Sequence, residues 1–222
     1  AASDVYKRQI DLLQRALTRP INGVPFSENN ENLEFLGDRV VHYCVLLGLI
    51  REFPRAPKSN LSSSVFHIVS TRSLGTAFIE RGIGYMLRRK TPGSKPNKKD
   101  ADLIEALMGA VYCDGGICSA DQVVYLLLGE QYRTSKSRRM LKSVFTEGTA
   151  SQRTLARLSE VERSTGCQFS KPTVVEAVLH GGALRDRYDE YQQLAFLGGS
   201  ALRLSAAEVC NQILDAETPG VL

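Results

Sequence analysis

Residues 30–41 read NENLEFLGDRVV, and the fold turns on how their apolar and acidic positions are spaced. Leu33, Leu36, Val40 and Val41 continue into Val45, Leu46 and Leu49, the three-and-four recurrence of a helix with one buried face. Acidic residues at the front of this run and Pro54 behind it suit a helix start and stop, so one helix is expected from Asn32 to Arg51. Glu34 and Asp38, four apart, share a face of that helix about one turn from each other. Like charges at this spacing cost a helix roughly 0.2–0.5 kcal/mol. Burying two uncompensated carboxylates among Leu33, Phe35, Leu36 and Val40 would cost far more, so solvent or a cation must satisfy them. Oxygen ligands of this kind suit a hard divalent cation, Mg2+ or in its place Mn2+.

A second acidic pair lies in ADLIEALMGAVYCDGG, residues 101–116, where Asp102 and Glu105 are three apart on an apolar helical pattern. A helix is expected there from about Lys99 to Cys113, stopped by Gly115 and Gly116. If it packs beside the first helix, four carboxylates converge, with Gly37, Ala106 and Gly109 small enough for close backbone approach. One such pair is ordinary on a solvated face, whereas two inside apolar helices point to a metal site able to polarise a phosphate. The rest of the pattern is also helical: one helix from about Asn60 to Arg81 ending at Gly82, others near 120–131 and 153–165, a short segment at 172–184 and a long one at 189–214. Few strand-like alternations occur, and the fold class is expected to be all-α.

The 222 residues, 43% hydrophobic and 23% charged, are ordinary for a globular chain with room for one large domain or two small ones. A net charge of +4 and a pI near 8.8 are compatible with a phosphate-binding surface without demanding one. Val40–Ile50 is an apolar run too short to span a bilayer, and the first residues carry no signal-peptide core, so no membrane partner is expected. Five scattered cysteines without metal-ligand spacing read as free thiols in a reducing, intracellular compartment. Cytoplasmic, nuclear and imported organellar locations all agree with that.

The chain also repeats itself. LLQRALTRP and ENNENLEFLGDRVVHYCVLLG, at 12–20 and 28–48, align with VVEAVLHGG and DEYQQLAFLGGSALRLSAAEV, at 174–182 and 189–209. Glu34 then corresponds to Ala195 and Asp38 to Gly199, so the second copy lacks the carboxylates. The expected organisation is a catalytic unit at 1–131, a basic linker at 132–152 and a partial, degenerate copy at 153–222.

NENLEFLGDRVV resembles the signature of the ribonuclease III family, N-E-R-L-E-F-L-G-D-x-V, and ADLIEALMGAVYCDGG is similar to its second acidic segment, A-D-x-x-E-A-x-x-G-A-x-Y-x-D-G-G. LSSSVFHIVSTRSLGTAFIERGIGYML, at 61–87, resembles the intervening helices, so the likeness covers about Leu12 to Gln131. It implies the ribonuclease III endonuclease fold, with Glu34, Asp38, Asp102 and Glu105 holding Mg2+ and activating water, and Glu31 assisting from the outer shell. The implied activity is hydrolysis of double-stranded RNA to 5′-phosphate and 3′-hydroxyl ends in RNA processing. Two such domains pair, largely through the signature helix, each cutting one strand. The partner here would be the second copy in cis, in the manner of Dicer and Drosha, or a second chain in a homodimer.

Departures from the family pattern are the run LSSS, His42, and Arg19-Pro20. The family's opening segment is missing from the first copy while a version stands at 158–184, which suggests a chain that begins inside its first domain. Arg88, Arg89, Lys90, Lys95, Lys98 and Lys99 precede Asp102 in a Pro- and Gly-containing stretch and are expected to meet RNA phosphates. His42, His67 and His180 have no partner spacing and read as core or surface residues. The alternatives to a nuclease are a catalytically inactive scaffold of the same fold, ribosome-associated or in a processing complex, and a helical dimerisation module that needs no RNA.

Overall fold

The computed structural model describes residues 2–20, 28–54, 56–87, 94–134, 152–168 and 188–217. Every regular element among them is a helix, as the periodicity requires. In chain order these are α1 (Ala2–Leu17), α2 (Glu31–Glu52), α3 (Lys58–Ile68), α4 (Thr71–Glu80), α5 (Ile83–Met86), α6 (Lys98–Thr134), α7 (Gln152–Thr165) and α8 (Tyr188–Glu217). The segment expected at 172–184, His180, residues 135–151 of the expected linker and Arg88, Arg89 and Lys90 lie outside the described residues.

One expected boundary is corrected. The single helix at 60–81 is two, because Ser70 is extended (φ −63°, ψ 148°) and its hydroxyl oxygen accepts from the Ser73 backbone N–H at 3.3 Å, capping α4. The helices expected at 99–113 and 120–131 are both found, run together within α6 across a kink at Gly116, whose φ of 68° and ψ of −170° are not helical. Gly82, at φ 73°, ends α4 where expected.

Helix α2 is the hub. It packs along α6 and also touches α3 and α8, while α4 closes the other side of α6 and α1 lies against it. Leu36, Val40, Cys44, Leu46 and Leu49 of α2 are fully buried with Leu61, Leu74, Phe78, Ile104 and Met108, and each such large side chain contributes about 1.5–3 kcal/mol relative to exposure. Lys98–Gly129 has the length and apolarity to cross a membrane by composition, and in this fold it packs against α1, α2 and α4.

The contact between α2 and α6 is made backbone to backbone. A Cβ on Gly37 would overlap the Glu105 carbonyl oxygen and stand 2.8 Å from the Gly109 nitrogen. One on Gly109 would overlap the Leu33 carbonyl oxygen. Ala106, between them in the seam, is 0% exposed. The three small residues named from the sequence thus set the crossing.

Helix α8 lies across α2. His42 Nδ1 is 3.1 Å from Ser200 Oγ, its ring meets Phe196 edge-on at 6.3 Å, and the Tyr112 hydroxyl donates to Glu208 Oε2 at 3.0 Å. Buried Gln193 donates from Nε2 to the Ala56 carbonyl. By the repeat, Gly198 is the counterpart of Gly37, yet a Cβ on Gly198 would meet nothing within 4 Å.

The two glycines therefore predict opposite outcomes. Gly37→Ala and Gly109→Ala should each destabilise the protein by about 2–3 kcal/mol or more in urea unfolding, the cost of overpacking against rigid backbone. Gly198→Ala, in the open face of a helix, should stabilise by roughly 0.5–1 kcal/mol. Equal effects at Gly37 and Gly198 would contradict the crossing described.

Candidate active site

The crossing decides which side chains meet. With α2 and α6 in backbone contact at Gly37 and Gly109, the acids on the adjoining turns face one another. Glu34, Asp102 and Glu105 each present a carboxylate oxygen within 4.8 Å of the others. They line an open cleft of about 490 Å³ together with Pro20, Glu31, Phe35, Asp38 and Lys98. Five carboxylates and one cation among the lining residues make the cleft strongly negative.

Burial and mutual repulsion act on these acids together. Burial, then the neighbouring Asp38, Glu34 and Asp102, pushes the Glu105 carboxyl up to about 8, with Lys98 offsetting part of the effect. Glu34 is raised in the same way, by burial first and then by Asp102. Lys98 Nζ sits 3.4 Å from Asp102 Oδ2, one turn back along α6. Carboxylates crowded until one holds its proton near neutrality fit a divalent cation, which would remove the repulsion. Ligand oxygens sharing one Mg2+ at about 2.1 Å lie up to roughly 4.2 Å apart, so the three acids need only small rotamer adjustments.

Asp38 lines the same cleft and is the neighbouring charge that acts most on Glu105. Its Oδ2 is 3.1 Å from Nη1 of Arg39, whose guanidinium carbon lies 5.6 Å from the centre of the Phe35 ring. Glu31 is exposed at the cleft wall, on the first turn of α2 that Asn29 caps by accepting the Glu31 N–H at 2.9 Å. Of the expected RNA-contacting cations among the described residues, Lys98 is in the cleft, ion-paired with Asp102. Lys95 and Lys99 are exposed but do not line it. On α8, Ala195 is exposed and a Cβ on Gly199 would meet nothing, so these positions build no second acidic cluster.

Sequence reasoning passed over Phe35, Pro20 and Arg39. Phe35, 48% exposed, reads in the sequence as part of the apolar face, although it stands four residues after Glu31 and three before Asp38 and so shares their side of the helix. Among the histidines, His42 is half-buried against α8, and burial, aided by Arg203, lowers its pKa, while His67 is exposed on α3. Cys44 is buried, which pushes its thiol up to about 12, and the cysteines of the described residues are free.

The Ribonuclease III domain family matches residues 31–116, a stretch that holds all four acids. The chain is 36% identical over 143 residues to Ribonuclease 3 of Magnetococcus marinus, covering 59% of this chain and 58% of that protein. It is 30% identical over 188 residues to Ribonuclease 3 of Nitrosomonas europaea, covering 81% and 76%. It is 33% identical over 174 residues to Ribonuclease 3 of Pseudomonas aeruginosa, covering 75% and 69%. The chain thus spans between 58% and 76% of these three relatives' lengths. On that likeness, and with the acids of both motifs brought to one cleft, the chain belongs to the ribonuclease III family.

Proposed function

We propose that this chain is an endoribonuclease that hydrolyses double-stranded RNA in RNA processing, with Mg2+ as its metal and Mn2+ as a substitute. The observation that carries the reading is the convergence of Glu34, Asp102 and Glu105 to within 4.8 Å, with Asp38 in the same cleft. Cations at these carboxylates would supply Lewis-acid polarisation of the phosphodiester and lower the pKa of water.

The chain's own residues do the rest. Glu34, Asp102 and Glu105 hold the metal, with Asp38 beside them, while Glu31 orients solvent from the rim. Lys98 pairs with Asp102 from one turn back along α6 and aims it into the cleft. Phe35 and Pro20 wall the cleft and limit which waters reach the phosphate. In the net reaction a water oxygen bonds to phosphorus, the bond from phosphorus to the 3′ oxygen breaks, and that oxygen takes the proton. The products are a 5′-phosphate and a 3′-hydroxyl.

The second block acts in this proposal as a pairing partner in cis. Support comes from α8 lying on the signature helix α2 through His42, Phe196 and Ser200, and from the lack of carboxylates at Ala195 and Gly199. A pair with one acidic cluster cuts one strand of a duplex. A homodimer of two such chains would instead cut both.

Three outcomes follow. Duplex RNA with separately end-labelled strands and Mg2+ should be nicked on one strand, and equal cleavage of both would favour the homodimer. Asp38→Ala and Glu105→Ala should each lower the cleavage rate by more than about a hundredfold, since even groups behind a metal ligand cost 10–100-fold. Binding of duplex without cleavage by the wild type would favour the inactive scaffold.

Stability should also depend on pH and metal. The raised Glu105 carboxyl stabilises the metal-free fold fully below its ordinary value of 4.5, a contribution lost as pH rises through about 8. The midpoint of thermal unfolding, Tm, should therefore fall across that window without metal, and less so in Glu105→Gln. Mg2+ at a hundred times its Kd should restore on the order of 5–10 °C at pH 8, and less at pH 6, because the ligands must be ionised. A Tm at pH 8 unmoved by Mg2+ or Mn2+ would refute the metal site.

A further inference from the structure

Helix α8 belongs to the second block, yet it is bonded to both helices that carry the acids. It meets α2 where His42 Nδ1 lies 3.1 Å from Ser200 Oγ and Phe196 stands edge-on to the His42 ring. It reaches α6 through Glu208, whose Oε2 accepts from the Tyr112 hydroxyl at 3.0 Å. Two further anchors hold it. Gln193 Nε2 donates to the Ala56 carbonyl, and Leu204 and Ala207 are buried in the core that α2 and α6 share.

We propose that Tyr112 and Glu208 are positioning residues for the metal site: their bond makes α8 a strut that holds the angle at which α2 and α6 cross. The block without acids of its own thereby sets the geometry of the acids in the other. This rests on the nuclease reading above and gives the second block a task besides pairing.

The physical grounds are three. The glycine seam fixes how near the two backbones come, but contact at one crossing leaves the angle between the axes to be set by something else. Packed helices scatter by about 15–20° around their preferred angles. Asp102 lies seven residues from Gly109, about 10 Å along the helix, so a turn of about 10° moves it by roughly 2 Å. Mg2+ holds its oxygens near 2.1 Å in a strict octahedron, and a shift of that size takes an acid out of reach.

Second, the packing of α1 and α4 on α6 is apolar and non-directional, whereas a hydrogen bond fixes both distance and direction. Burial, then the bond to Glu208, pushes the Tyr112 hydroxyl up to about 12, so at neutral pH it keeps its proton to donate. Third, by the repeat Glu208 stands where the first block has Leu47. The block that lacks carboxylates at Ala195 and Gly199 thus carries one where it touches α6.

The test is Mn2+ affinity by electron paramagnetic resonance, with urea unfolding of the same proteins. Tyr112→Phe and Glu208→Leu, which each remove the bond, should weaken Mn2+ binding about three- to tenfold, less than the 10–100-fold typical of a partner bonded directly to a metal ligand. Their double variant should bind within about twofold of the weaker single, since both changes remove one bond. Glu208→Gln, whose amide oxygen still accepts from Tyr112, should bind within about twofold of the wild type.

Unchanged Mn2+ affinity in Tyr112→Phe, whatever its urea midpoint, would make the bond a structural one only and overturn the proposal, leaving the nuclease reading intact. Weakening by Glu208→Gln as large as by Glu208→Leu would trace the effect to lost charge and overturn it as well. So would losses that multiply in the double variant. Should Glu208→Leu not fold, Tyr112→Phe and Glu208→Gln decide the matter. No Mn2+ binding by the wild type would overturn both the proposal and the nuclease reading.

Discussion

Two glycines on different helices let backbone touch backbone, and the acidic cleft depends on that contact. At the crossing of α2 and α6, Gly37 lies against the Glu105 carbonyl and Gly109 against that of Leu33. Any side chain there would lever the helices apart. The acids stand on the turns next to these glycines, so the separation of the carboxylates is set by the closeness of the main chains. The apolar core on the far side of α2, from Val40 to Leu49, holds the crossing in place. In this protein packing and chemistry are one constraint.

That constraint carries an electrostatic cost. The fold forces Glu34, Asp102 and Glu105 together with Asp38 close by, and Glu105 responds by holding its proton to about pH 8. Without a cation the site opposes folding at neutral pH, and the buried core around Leu36, Phe78 and Met108 must outweigh it. The same crowding makes the site selective for a small, hard, doubly charged partner. The cations already present, Lys98 and Arg39, each engage one acid at the periphery and leave the centre of the trio to the metal.

Much of this was legible in the sequence. The i, i+4 spacing of Glu34 and Asp38, the i, i+3 spacing of Asp102 and Glu105, and the small residues Gly37, Ala106 and Gly109 together specified which helices cross and where. Periodicity gave α2, α7 and α8 to within three residues at each end. It failed at Val69–Ser70, because α3 and α4 present apolar residues in nearly continuous register across a break that only the Ser70 cap reveals. At Gly116 the expected break is present, because a φ of 68° with a ψ of −170° is not helical. The pairing of Asp38 with Arg39 was invisible for another reason. Adjacent residues on a helix diverge, and only the exposed mouth of the cleft lets their side chains turn toward each other.

The acidic trio at the α2–α6 crossing is the core of the account, and a direct look at what it holds is decisive. Anomalous diffraction from crystals of the chain grown with Mn2+ should place a peak between the carboxylates of Glu34, Asp102 and Glu105, at about 2.1–2.2 Å from the nearest oxygens. Crystals saturated with Mn2+ that show no peak there, or that find the two acidic motifs on separate faces of the molecule, would contradict it.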